Sequence, residues 1–320
     1  MLCVGNRPGI NISWEGIALP ERRDLSYQAK REITLAMLKR RAKCKASCHC
    51  IRRALQRRNI VFRRMRAKPI LTDADRRARF AFAKKYRTMS KAWWVKNVHM
   101  HIDMKTFTAY VNAAARDVAA LRTVRGAYRQ LGQGLDEAYV VVPKALRYNP
   151  GAKPIKVLAG VGRGRVRVWH VVEGKWCGSA AARAYEGPLL QGLRRAWPRK
   201  RKFQVLEDND PTGFKARAGV QAKAAVGIKA FEIPKRSPDL NVCDYALWAA
   251  VNRKMRRQEK KFPRAKRETR AEHIARLRRA AHSLTPAFIN KSIGDMRRRC
   301  RLLFERQGGL FEEGGRPTQP

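Results

Sequence analysis

The sequence predicts a mixed α/β domain preceded by a small, basic, all-helical region. Three features predict it. From residue 95 onward, strand-like runs alternate with runs of helical period, the layout of a central sheet with helices on its faces. In residues 27–65, apolar positions recur four apart among many Lys and Arg, a helical pattern. Over the 320 residues the hydrophobic fraction is 44%, enough for a sizeable core, and the length suits two domains.

Charge narrows the partners. Lys and Arg number 72 against 25 Asp and Glu, a formal net charge of +47 spread along the whole chain. A polyanion is the natural partner of such a chain, with nucleic acid the leading candidate. A coat protein that covers nucleic acid without chemistry would show the same excess, so charge alone does not separate an enzyme from a binder. The seven cysteines are scattered, which argues against a disulfide framework and for a reducing compartment. No apolar run approaches the roughly 20 residues that span a bilayer, and the N-terminus lacks a secretory pattern. The chain is therefore expected to be soluble and intracellular, with no membrane partner.

Residues 1–26 lack periodicity and read as a tail. In 27–41 Ala29, Ile33 and Met37 fall four apart. Ser47 then suits the N-cap of a second helix, 48–58, with Ile51 and Leu55 on one face. Its other face carries His49, Arg52, Arg53, Gln56 and Arg57. Two short helices, the second basic, fit a helix-turn-helix that would lay its second helix in a major groove; a pair of solvated basic helices fits as well. Cys44, Cys48, His49 and Cys50 form one cluster with no second pair of ligands, so they read as thiols, not as a zinc site.

Residues 63–69 read as a basic connector. Thr72 and Asp75 form a capping-box variant that opens a helix ending near Met89. Trp93 and Trp94 read as core anchors, and a strand is expected from Val95 on through VHMHIDMKTFTAY, with Asp103 in its middle. A carboxylate in a buried strand needs a partner or a metal. His99 and His101 share its face by the period of two, as ligands or as satisfied strand histidines. Residues 111–153 are Ala-rich and then loop-like. The runs 155–161 and 165–172 make a hairpin across Gly162-Arg163-Gly164, which is turn chemistry and not a phosphate loop, because a strand follows it. A helix over 179–197, broken at Gly187-Pro188, leads to a strand at 203–206 that ends in Glu207-Asp208-Asn209-Asp210. A helix over 212–226 and a strand at 231–233 follow. A Ser-Pro-Asp turn then opens a helix with Asp244 in its first turn and Tyr245, Trp248, Val251 and Met255 on its buried side. Helices over 264–281 and from Thr285-Pro286 close the chain.

The residues DNDP at 208–211 and SPDLN at 237–241, with an acid three residues later and Leu247-Trp248 beyond, resemble the mariner superfamily of cut-and-paste DNA transposases. Ile102-Asp103-Met104-Lys105-Thr106-Phe107 resembles that family's first catalytic strand. Lys68-Pro69-Ile70-Leu71-Thr72 resembles the entry to its catalytic domain. The resemblance covers about residues 27–315. It implies a ribonuclease-H-like mixed sheet flanked by helices over 95–315, a linker and helix over 67–94, and a helix-turn-helix over 27–66. It also implies that Asp103, Asp208 and Asp244 are the catalytic, metal-binding carboxylates, with 35 residues between the last two. The implied cofactor is Mg2+ or Mn2+, two ions, for hydrolysis and strand transfer at transposon ends. Arg52, Arg53, Gln56 and Arg57 are the implied DNA-binding residues. The implied partners are double-stranded DNA, as terminal repeats and target, and a second copy of the chain; the implied location is the nucleus. Asp210 reads as a loop residue and Asp239 as a turn or capping residue. The family often has proline where this chain has Val242, and usually carries two helix-turn-helix motifs where there is room for one. The alternative function is a catalytically inactive or domesticated, transposon-derived DNA-binding protein.

Overall fold

A computed structural model describes residues 35, 39, 40, 43, 45–64, 66, 67, 69–110, 112, 126–130, 140, 141, 153–263 and 265–311. In chain order its elements are α1 (Cys48–Arg57), β1 (Ile60–Arg64), β2 (Arg66–Ala67), α2 (Asp73–Tyr86), α3 (Lys91–Asn97), β3 (Met100–Ala109), β4 (Gly126–Gln130), β5 (Val140–Val141), β6 (Lys153–Gly162) and β7 (Arg165–Val172). There follow α4 (Gly178–Ala184), α5 (Leu190–Ala196), β8 (Phe203–Glu207), α6 (Arg217–Ala225), β9 (Ile228–Glu232), α7 (Trp248–Glu259), α8 (Arg270–His282), α9 (Pro286–Gly294) and α10 (Met296–Glu305). Among the described residues no helix is long and apolar enough to cross a membrane. The chain forms two compact units, one of residues 1–69 and 120–144 with 318–320, the other of 70–119 and 145–317.

In the first unit α1 forms where its cap predicts. The Ser47 hydroxyl accepts from the Cys50 amide at 3.2 Å. Ile51 and Leu55 turn inward and pack with Leu35, Ile60 and Tyr128. Asn59, with φ 57°, ends the helix in the left-handed conformation that Asn tolerates. The expectation of an all-helical region fails beyond that point. Ile60, Val61 and Phe62 are β-formers, and β1 pairs antiparallel with β4, Phe62 opposite Tyr128. β2 pairs parallel with β5. The segment read as loop-like therefore supplies strands to this unit. The helix expected over 27–41 lies outside the described residues except Leu35, Lys39 and Arg40, and the 1–26 tail lies wholly outside them.

The second unit is built on a five-stranded mixed sheet of order β7-β6-β3-β8-β9. The β7–β6–β3 side is antiparallel and the β3–β8–β9 side parallel. The β6–β7 hairpin turns at Arg163 (φ 47°) and Gly164 (φ 70°), two left-handed residues whose twist suits flanking strands. Alternate residues feed two cores. Met100, Ile102, Phe203 and Val205 face one, with Tyr185 and Phe214. Phe107, Leu206 and Phe231 face the other, with Trp94, Leu240 and Trp248.

Several boundaries move, each for a local reason. Val95 is helical, because Ser90 caps α3 and Trp94 is buried against Tyr86 and Phe231; the strand starts at Met100. The linker helix α2 carries the expected capping box, yet it belongs to this unit, since Phe82 and Ala83 are part of its core. Pro188 does not break its helix. A wider π-helical turn, Tyr185–Leu189, joins α4 to α5 and accommodates the ring. α6 starts at Arg217 because the preceding residues form a carboxylate-centred loop, and α8 starts at Arg270 because Thr269 and Glu272 cap it there. Thr285 and Pro286 open α9 as expected.

Candidate active site

β3 and β8 run parallel with His101 level with Leu206. Continued two positions past the last paired residues, this register brings Asp103 beside Asp208. Both lie on the face of His101 and Leu206, since strand side chains alternate. Two acids more than a hundred residues apart in sequence thus come side by side on one face, Asp103 within β3 and Asp208 just past the end of β8. The third arrives from a different element. Pro238–Leu240 forms a short 3₁₀ turn, and Cys243–Leu247 a π-helical turn that runs into α7. Asp244 sits in that π turn. Asp103, Asp208 and Asp244 line one cavity of about 700 Å³, with Asp210, Asn241 and the exposed Lys235.

Sequence reasoning missed the residues that hold this arrangement. Asn241 is buried and bonds in two directions. Its Nδ2 donates to the carbonyl of Ile102 at 3.1 Å, and its Oδ1 accepts from the amide of Cys243 at 3.0 Å. It thereby ties the backbone before Asp103 to the backbone before Asp244. Trp248, read only as core, donates its indole N–H to Asp103 Oδ2 at 2.7 Å. The available signal was chemical: a buried indole N–H usually finds an acceptor.

The Asp208–Thr212 loop is organised by Asp210. Its carboxylate accepts from Trp176 Nε1 (2.7 Å), the Gly213 amide (3.0 Å) and the Thr212 amide and hydroxyl. A Cβ at Gly213 would lie 2.2 Å from Trp176 Nε1, so this approach needs glycine. Asp210 is thus the loop residue the sequence predicts. Asp239 is neither metal-facing nor a helix cap. It is buried and paired through both oxygens with Arg79 of α2, at 2.8 and 2.6 Å. Arg79 also holds Ser237 Oγ and the carbonyl of Gly308.

Electrostatics separates the acids. Burial, followed by the charge of Asp244, holds the Asp103 carboxyl well above the usual carboxylate range; the Trp248 hydrogen bond opposes this, and Asp208 adds to it. Burial pushes Asp208 up to about 6, opposed by the Asp210 amide and aided by the charges of Asp210 and Glu207. Buried carboxylates gathered on one cavity wall favour a cation among them. Oxygen donors of this kind suit hard divalent ions such as Mg2+ or Mn2+. As they stand, no three His, Cys, Asp or Glu side chains among the described residues enclose a single ion position. The donor set and its mutual repulsion fit a divalent metal; the spacing is that of a cavity wall.

His99 and His101 stay out of the cavity chemistry. His99, just ahead of β3, accepts the Gln204 amide on Nδ1 at 2.8 Å, and burial lowers it; His101 lies in β3, where burial lowers it to about 3. Arg52, Arg53, Gln56 and Arg57 all lie on the exposed side of α1, in the first unit. Cys48 and Cys50 are free thiols, and Cys44 lies outside the described residues.

Known proteins share this architecture. Residues 25–88 match a helix-turn-helix family model of Tc3 type described as "Transposase". Over 270 residues the chain is 24% identical to the transposable element Tc1 transposase of Caenorhabditis elegans, covering 81% of this chain and 85% of that one. The chain is thus similar in sequence to a Tc1 transposase, and residues 25–88 to the helix-turn-helix of such transposases. A Mos1 mariner paired-end complex with Mg has a chain of the same fold, with TM-score 0.61 at 15% identity over 96% of this chain and 82% of that one. The isolated Mos1 catalytic domain aligns over its whole length and 77% of this chain, with TM-score 0.55 at 14% identity. The sheet and its helices thus share the fold of the Mos1 catalytic domain, a mixed sheet flanked by helices as the sequence predicts. A compact α/β core of this kind also removes the reading as a simple nucleic-acid coat.

Proposed function

We propose that the chain is a cut-and-paste DNA transposase, in which Asp103, Asp208 and Asp244 hold Mg2+ or Mn2+ for phosphodiester hydrolysis and strand transfer. The observation that carries this reading is the register of β3 against β8. Continued past its last pairs, it brings Asp103 beside Asp208 on the wall of a cavity that Asp244 also lines. Mos1 structures with Mn and with Mg support the choice of metal. A pair of such ions, when bound, supplies Lewis-acid activation of the attacking oxygen and charge neutralisation at the phosphate.

The chain's own residues do the rest. Trp248 holds Oδ2 of Asp103, whose carboxylate lines the cavity. Asp210 keeps the loop after Asp208 closed on itself, and Lys235 at the rim suits a phosphate. In the first unit Arg52, Arg53, Gln56 and Arg57 offer a basic, exposed helix face for a DNA groove. Substrate DNA is the element's terminal repeats and a target duplex, handled by a pair of chains in the nucleus. The paired-end form of Mos1 supports the pairing.

The test is strand cleavage by the purified full-length protein on DNA carrying the repeats that flank its own genomic copy. Metal-dependent nicking at the repeat ends, lost in Asp208→Asn, is the expected result. Salt-sensitive binding of the repeats with no nicking under Mg2+ or Mn2+ would instead identify the inactive or domesticated alternative. Nuclear location is checked by imaging a tagged chain, and pairing by the mass of the protein–DNA complex.

A further inference from the structure

β8 ends at Glu207, and Asp208 follows it directly, the two carboxylates directed to opposite faces. Glu207 continues the row of Phe203 and Val205 into the core around Tyr185 and Phe214; Asp208 continues the row of Leu206 toward the cavity. Glu207 is fully buried, and both its oxygens are held. Tyr185 donates its hydroxyl to Oε2, and Lys223 donates its ammonium to Oε1. Lys223 also donates to the Phe214 carbonyl at 3.0 Å, and its Nζ lies 5.3 Å from the centre of the Tyr185 ring. These groups come from three elements: the π turn after α4, the end of β8, and α6.

An apolar side chain at 207 would fill the same core, as Phe203 and Val205 do, and buried ion pairs are weak evidence for stability alone. What directional bonds add is a fixed rotation of the strand end. Turning Glu207 out of place would strand the Lys223 charge in the core, so the backbone that presents Asp208 is locked from behind. We propose that Tyr185, Glu207 and Lys223 are positioning residues that aim the Asp208 carboxylate into the cavity. This rests on the reading of Asp208 as a metal-holding residue.

The test is calorimetric titration of the full-length protein with Mn2+, alongside thermal melting. The pair of changes Glu207→Leu with Lys223→Leu should weaken Mn2+ binding about tenfold or more while the melting temperature holds or rises. Tyr185→Phe keeps every ring carbon, so it decides the matter even if the double variant does not fold. It should weaken binding by about three- to tenfold. Lys223→Arg should retain most of the affinity. Asp208→Asn is the reference. If it loses Mn2+ binding while Tyr185→Phe and the double variant bind as the native chain does, the positioning role is overturned and the metal site stands. If Asp208→Asn binds Mn2+ unchanged, the metal reading fails and takes this proposal with it.

Discussion

Five residues apart in sequence, Asp239 and Asp244 meet opposite surroundings. Asp239 is buried in a fork of Arg79, with the Arg299 guanidinium on its carbonyl at 2.8 Å. Asp244 lies on a cavity wall, where its charge raises Asp103. The same contrast recurs on β8, between Glu207 with Lys223 and Asp208 facing acids. The difference separates two uses of a carboxylate. A buried acid with its own cation is part of the scaffold. Acids that face one another are costly to the fold, and a bound cation is what makes the arrangement favourable.

The sharpest test of that contrast sets the two classes side by side. Asp208→Asn should lower metal-dependent end cleavage about 10³-fold, roughly 4 kcal/mol of transition-state stabilisation, with no loss of melting temperature because one of several repelling charges is removed. Arg79→Met should do the reverse. It leaves Asp239 buried without its cation, at about 3–5 kcal/mol of stability measured by denaturant unfolding. Comparable destabilisation by both variants would erase the distinction.

Asn241→Ala probes the seam between the classes. It leaves the Ile102 carbonyl and the Cys243 amide each short of a partner, at about 1–3 kcal/mol. Because it separates the segments bearing Asp103 and Asp244, Mn2+ affinity in a binding titration should fall along with stability.

The smallest effect concerns acids of the scaffold class at the edge of the fold. Burial would raise Glu268, but hydrogen bonds from Arg276 and His273 outweigh it and hold the carboxyl below its usual range. Burial also lowers His273, against the pull of Glu268. Both folded values are depressed, so both contributions are present at neutral pH. They are lost on acidification, the histidine's as pH falls from about 6.5 and the glutamate's as pH falls from about 4.5. Glu268→Gln should flatten the lower part of the melting temperature's decline with acid.

Much of this was legible in the chain. Ser47, the Thr72–Asp75 box and the Thr285-Pro286 pair each mark a helix start, because a cap is made by residues two or three apart. The hairpin at Arg163-Gly164 is equally local. The three acids stood out through spacing and family resemblance, in a chain where acids are scarce. Local pattern also misled. Val95 reads as strand until Ser90 caps α3, and Ile60–Arg64 becomes a strand only because a segment more than sixty residues later pairs with it.

By itself, the sequence determined the kinds of element, most of their caps, the basic character that calls for a polyanion, and which acids to watch. Tertiary structure alone decided what each acid is for. Asp239 finds its arginine 160 residues away, Asp103 its indole 145 away, and Asn241 its carbonyl 139 away. Whether a carboxylate is neutralised, braced or left facing others depends on such distant partners. Helix and strand periods repeat every two to four residues and carry no record of them.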